Sequence, residues 1–247
     1  QEALNTLLVA LAGGEGFIKI TGEVGTGKSL LCRRLLQTLP PGSVSAYLPN
    51  PYLAPRTLLL ALGEELGLDL DPAADDYHLL QGINRKLLEY AAAERQVVVC
   101  IDEAQAMPRE TLEALRLLSN LETEKRKLLQ IVLFGQPELD ERLADPAVRQ
   151  LRQRIAFHYR LQGLGRGEIG NYLAHRLRVA GDRGEGLFAS AANRALYRAS
   201  RGTPRLVNIL ANKALLAVFG EGRQTVKTRH VRLAARDTEG AHDPGWW

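Results

Sequence analysis

Gly22-Glu23-Val24-Gly25-Thr26-Gly27-Lys28-Ser29 is the stretch on which the fold turns. It satisfies the pattern G-x-x-x-x-G-K-[ST] in full. The residues before it, Phe17-Ile18-Lys19-Ile20-Thr21, read as a short strand, and Leu30 to Leu39 reads as a helix stopped by Pro40-Pro41. A strand, a glycine loop and a helix in that order form a phosphate cradle. The glycines let backbone N–H groups converge on phosphate oxygens, and the helix N-terminus adds its partial positive charge. In such a cradle Lys28 reaches the β- and γ-phosphates of ATP and the Ser29 hydroxyl ligates Mg²⁺. Glu23, Val24, Gly25, Thr26, Gly27 and Leu30 complete the expected nucleotide-binding set.

The second informative stretch is Val97-Val98-Val99-Cys100-Ile101-Asp102-Glu103. A continuous β-branched run suits a strand buried on both faces of a parallel sheet. Two carboxylates at its C-terminal end stand where ligands bind in open α/β sheets. Asp102 is expected to hold the Mg²⁺ shell from the second side, and Glu103 to polarise the attacking water as general base. Asp102-Glu103-Ala104-Gln105 also resembles a helicase box, but too little chain follows it for a second motor domain. Leu128 to Phe134 reads as another buried strand, ending at Gly135-Gln136-Pro137. Gln136 at that edge is placed to orient water between Glu103 and the γ-phosphate, or else is a turn residue. Asn50, after a strand over residues 43–48, is open to the same two readings, a partner that restrains Glu103 or a turn.

At 247 residues the chain is long enough for one large domain and one small one. Its charged fraction of 24% is that of an ordinary globular protein. The net charge of +4 is too mild to name a partner unless the excess is localised. Two cysteines, Cys32 and Cys100, fall in a helix and a central strand and read as small buried apolar residues, in keeping with a reducing compartment. No apolar run approaches the ~18 residues of a membrane span. Gln1-Glu2 lacks the basic start of a signal peptide, and Gln1 in place of Met is what a fragment would show.

Other elements fall between these landmarks. Helical spacing covers Ala3 to Leu11, Arg56 to Leu66, His78 to Ala93 and residues 109–118. Asp69 to Asp76 is an acidic connector. A basic cluster, Arg149, Arg152 and Arg154, precedes a strand-like run from Ile155 to Leu161, in which His158 reads as packed rather than catalytic. From Gly163 the texture turns helical, at about Glu168–Val179, Leu187–Ala199, Pro204–Val218 and His230–Arg236. Arg201-Gly202-Thr203-Pro204-Arg205 opens the third of these, with Pro204 suited to a first turn and Arg205 able to face a phosphate.

The succession of phosphate loop, Asp-Glu strand, polar-ended strand, arginine cluster and Gly-Thr-Pro-Arg helix resembles an AAA+ ATPase. More closely, the chain resembles the bacterial ExeA/GspA/MshM family of secretion and type IV pilus ATPases. The carrying residues, beyond the loop itself, are Leu115-Arg116-Leu117-Leu118-Ser119-Asn120-Leu121-Glu122-Thr123, Gly135-Gln136-Pro137-Glu138-Leu139, Leu151-Arg152-Gln153-Arg154 and Gly202-Thr203-Pro204-Arg205-Leu206-Val207-Asn208. The resemblance implies an α/β fold: a P-loop NTPase core with a parallel sheet over residues 1–162, a small all-α lid over 163–236 and a disordered tail over 237–247. It places Gln136 at the sensor-1 position, Arg205 at sensor 2, and Arg152 or Arg154 at the arginine finger without choosing between them. The family pattern extends upstream of the equivalent of Gln1, where adenine contacts are expected. Larger ExeA-type members carry a membrane span and a peptidoglycan-binding domain that this sequence lacks, so it is more similar to the short MshM type linked to mannose-sensitive haemagglutinin pili.

What the resemblance implies is an ATPase that uses ATP and Mg²⁺ to drive assembly of a pilus or secretion machine. The expected form is a homo-oligomeric ring, hexameric by family analogy, in the cytoplasm and associated with the inner membrane through pilus or secretion proteins. The other reading is an ATP-dependent DNA-binding regulator of the transposition type, which has a similar core. Nucleic acid is not the expected partner, because the sequence has no aromatic-interleaved basic stripe and no helix-turn-helix signature. A nucleotide-gated scaffold without turnover is opposed by the intact Glu103.

Overall fold

The computed structural model describes residues 2–122, 127–181 and 186–243. Thr123 of the quoted stretch and the Trp246-Trp247 end of the tail lie outside the described residues. The chain divides into two compact units, one comprising Gln1–Val24 and Lys28–Leu161, the other Gly25–Gly27 and Gln162–Trp247.

The first unit runs α1 (Glu2–Ala12), β1 (Phe17–Thr21), α2 (Lys28–Thr38), β2 (Val44–Leu48), α3 (Pro55–Glu65), α4 (Asp76–Ala92), β3 (Val97–Ile101), α5 (Arg109–Leu118), β4 (Gln130–Gly135), α6 (Glu138–Ala144), α7 (Arg149–Arg154) and β5 (Ile155–Arg160). The five strands form one sheet in the order β2-β3-β4-β1-β5, all parallel. Parallel neighbours need crossovers, and helices supply them on both faces. Every residue of β3 and β4 is therefore buried.

The period of two divides the strand side chains cleanly. Val97, Val99, Ile101, Ile131 and Leu133 join a core with Leu58 and Leu62 of α3, Leu79, Ile83 and Leu87 of α4, and Leu112 and Leu115 of α5. Val98, Cys100, Val132, Phe134, Ile18 and Ile20 face the other way, onto Leu4, Leu7 and Leu11 of α1 and Cys32 and Leu35 of α2. Both cysteines are fully buried. Gln130 is a polar exception in the interior. Its amide donates to Leu11 O at 3.0 Å and Glu15 O at 2.8 Å, satisfying one carbonyl in the last turn of α1 and one in the loop that follows it.

Two local readings change, and one element is added. His158 is not packed: β5 is an edge strand that exposes Ala156, His158 and Arg160. The His158 ring instead bonds Thr21 Oγ1 at 3.0 Å. Desolvation, together with the neighbouring Lys19 ammonium, lowers its pKa from the ordinary value. The arginine cluster is helical, as α7. The tail is not disordered over 237–243: Thr238 Oγ1 donates to Ala234 O, His242 N–H donates to Ala199 O at 2.9 Å, and Ala241 packs on a hydrophobic core.

Among the described residues the second unit holds four helices, α8 (Ile169–Val179), α9 (Ser190–Ser200), α10 (Pro204–Gly220) and α11 (Thr228–Arg236). Its core is made of small residues, among them Ala192, Ala195, Ala199, Ala211, Ala214 and Ala234, with Ile169, Leu196, Leu210 and Val231. The turn from α9 to α10 is tight. Arg201 and Gly202 both take positive φ, 49° and 77°, and Leu164 N–H donates to Gly202 O at 2.7 Å. A Cβ on Gly202 would lie 2.1 Å from Leu164 O. Residues 162–247 carry 14 Lys and Arg against 7 Asp and Glu, so the basic excess lies wholly in this part of the chain. Among the described residues no helix is long and apolar enough to cross a membrane.

Candidate nucleotide-binding and catalytic site

Strand order positions the site. β4 lies between β1 and β3, with Thr21 paired to Gly135 and Ile101 to Leu133. All strands run the same way, so Gly22 after β1, Gln136 after β4 and Asp102-Glu103 after β3 emerge along one edge, with Gln136 in the middle. Gly22 N–H donates to Gly135 O at 3.2 Å, which stitches the start of the loop to the end of β4.

Within the loop, Gly25 and Gly27 have φ of 80° and 101°, conformations that side-chain-bearing residues resist. Helix α2 begins at Lys28, earlier than the apolar run at Leu30 suggested, so Lys28 and Ser29 form its first turn. The Lys28 side chain is buried, and its ammonium donates to Gly22 O at 2.8 Å and Glu23 O at 3.1 Å. Burial lowers its pKa from the ordinary lysine value, while Glu103, Asp102, Glu23 and Glu138 act in the opposite direction. Thr26 is buried; Glu23, Val24 and Leu30 are exposed.

Asp102 is 3% exposed. Its backbone N–H bonds Leu48 O on β2, and its Oδ1 accepts Glu103 N–H at 3.0 Å. Glu103 takes the left-handed conformation, φ 52° and ψ 35°, ahead of a 3₁₀ turn at Ala104–Ala106. Its Oε2 accepts from Gln136 Nε2 at 3.2 Å and from Gln105 Nε2 at 2.5 Å. Gln105 Oε1 in turn accepts the backbone N–H of Gln136 at 3.0 Å. Gln136 thus stands beside Glu103. Gln105 is the residue that sequence reasoning missed, although it sits in the quoted Asp102-Glu103-Ala104-Gln105 stretch.

Asn50 does not join this group. Its Oδ1 accepts Tyr52 N–H at 3.2 Å, an Asx-type turn contact. Arg154 donates through Nη1 to Ser119 Oγ at 3.0 Å, tying α7 to the end of α5. Arg152 is exposed, and its side chain makes no hydrogen bond or ion pair among the described residues. Arg205 is exposed on the first turn of α10 in the second unit.

A glycine loop with a buried lysine, beside a buried aspartate and a glutamate held by two amides, is a group of residues chemically suited to a nucleotide's phosphates. Residues 11–143 match the family model described as AAA domain, and the chain belongs to that family. It is 44% identical over 246 residues, 100% of its own length, to the general secretion pathway protein A of Aeromonas hydrophila, and spans 45% of that protein. This is the ExeA/GspA type of AAA+ ATPase. Among solved structures, the Aeropyrum pernix ORC2 protein in its ADPNP–ADP complexes superposes with a TM-score of 0.69 at 18% identity, covering 98% of this chain and 67% of that one. The Thermotoga maritima RuvB Holliday junction branch migration motor gives 0.62 at 17%, covering 96% and 69%. These two likenesses establish the fold, α/β with a parallel sheet.

Proposed function

We propose that this chain binds ATP with Mg²⁺ and hydrolyses it to ADP and phosphate. The observation that carries the reading is the Glu103 carboxylate fixed by Gln136 on the strand edge that also carries the phosphate loop. In this reading the loop amides and Lys28 hold the β- and γ-phosphates, giving up the Lys28 bonds to Gly22 O and Glu23 O. Glu103 takes a proton from the attacking water, and Gln136 orients that water. The donor set suits Mg²⁺, which keeps most of its waters and takes one or two protein oxygens: Ser29 Oγ would ligate it and Asp102 would fix its shell. Bound there, the ion would supply charge neutralisation for the phosphates.

The reading extends to a homo-oligomeric ring, hexameric by family analogy, in which an arginine of α7 completes the neighbour's site. Arg152 fits that role better than Arg154, which is already engaged by Ser119. Arg205 would answer the phosphates from the helical lid. Identity to a general secretion pathway protein over the whole chain supports a role in assembling a secretion machine or type IV pilus, on the cytoplasmic side and through inner-membrane partners. The DNA-regulator reading draws no support from the ORC2 and RuvB likenesses, which at 17–18% identity speak for the fold alone.

Glu103→Gln tests the chemistry. It should bind ATP as the wild type does and hydrolyse it at least ~100-fold more slowly, the usual scale of a general base. Turnover and bound nucleotide are measured on the same sample. Wild-type turnover in the variant would assign the base to another group.

A further inference from the structure

Gln105 is bonded at both ends of its amide. Nε2 donates to Glu103 Oε2 at 2.5 Å, and Oε1 accepts Gln136 N–H at 3.0 Å. These two partners fix its orientation. A flipped amide would set oxygen against the carboxylate and NH₂ against a backbone N–H, two repulsions in place of two bonds. The backbone opposite makes room for it. A Cβ on Gly135 would come 3.3 Å from Gln105 Oε1 and 2.7 Å from Leu139 Cδ2, so a glycine there leaves the amide its place. Gln105 lies on the short turn directly after Glu103, and Gln136 N–H follows directly on β4. One side chain therefore joins the end of β3 to the end of β4 through the carboxylate.

The carboxylate is engaged unevenly. Both amides, Gln105 and Gln136, converge on Oε2. Two donors on one oxygen fix the rotation of the carboxylate about its Cγ–Cδ bond and leave Oε1 as the oxygen free to take a proton. We propose that Gln105 is a positioning residue for the base. It selects which Glu103 oxygen meets the water and keeps it in line with Gln136. The proposal rests on the reading of Glu103 as the base.

The test is a pair of variants in two backgrounds. Gln105→Leu removes both bonds. Gln105→Glu keeps the size and the acceptor but sets a like charge against Glu103. Each should lower kcat by about 10- to 100-fold, the scale on which a small misplacement of a reacting group acts. ATP affinity and KM should stay at wild-type values. In the Glu103→Gln background neither change should lower the residual turnover further, because the group being positioned is gone. A structural defect would reduce turnover equally in both backgrounds, and that result overturns the proposal. So does wild-type kcat in either variant that retains the wild-type melting temperature, or a loss confined to KM. If Glu103→Gln itself turns over normally, it is the assignment of the base that fails, and the single-variant kcat values then show whether Gln105 acts on another group.

Discussion

A buried ammonium is costly unless something nearby favours its charge. Lys28 has two loop carbonyls and a ring of carboxylates, yet burial still lowers its pKa below the ordinary lysine value. Adding the phosphates of ATP can only raise that pKa. Nucleotide binding should therefore take up a proton in the alkaline range, where free Lys28 is partly neutral and bound Lys28 is charged. Affinity then falls as pH climbs through the lowered pKa. Calorimetry between about pH 7 and pH 10, in buffers of different ionisation enthalpy, measures both effects. Lys28→Arg, always charged, should bind more weakly and lose the proton uptake. Wild-type uptake in the arginine variant would place the titrating group elsewhere. Lys28, Asp102 and Glu103 were legible in the sequence because the loop pattern and the strand-end acids are local. Gln105 was not, because its meaning depends on a backbone N–H that lies 31 residues away.

Elements were legible wherever a period could repeat. β1, β3 and helix α5 stand where their apolar patterns put them. The seven residues of α6 and six of α7 span too few turns for a 3.6-residue period to emerge, and charge dominates both. Strand order was hidden as well, since inserting β4 between β1 and β3 is a non-local event that no single stretch encodes. The turn from α9 to α10 is encoded more tightly. Gly202 combines positive φ with a backbone contact that no Cβ can share. Gly202→Ala should cost the helical unit at least about 2 kcal/mol, from left-handed strain plus the displaced Leu164 carbonyl. Hydrogen exchange should show the loss in α9 and α10 while β3 and β4 keep their protection. Unchanged exchange in α10 would mean that the turn relaxes without penalty.

For the whole molecule, the question is whether one chain holds a complete site. If Arg152 serves a neighbour, Arg152→Ala and Glu103→Gln chains are each inactive alone but complementary when mixed. The interface at which the first chain's Glu103 meets the second chain's Arg152 has every part. Such fingers are worth roughly 10³–10⁵ in rate, so even a minority of mixed interfaces should return measurable turnover, lost again on dilution. Arg154→Ala should act differently, loosening α7 from Ser119 and lowering the melting temperature more than the rate of folded protein. Absence of rescue in a mixture shown to co-assemble would remove Arg152 from the neighbour's site.

Glu103 sits in a backbone posture that an L-residue adopts at a cost of about 1–2 kcal/mol, and that glycine or asparagine tolerates. If Glu103 is the general base, selection for turnover must hold a glutamate there against that bias. Where a lineage no longer needs hydrolysis, the bias acts unopposed, and drift at this position should run toward glycine or asparagine before it runs anywhere else. On that reading, the residue at this position in related chains should sort those that spend nucleotide from those that only hold it.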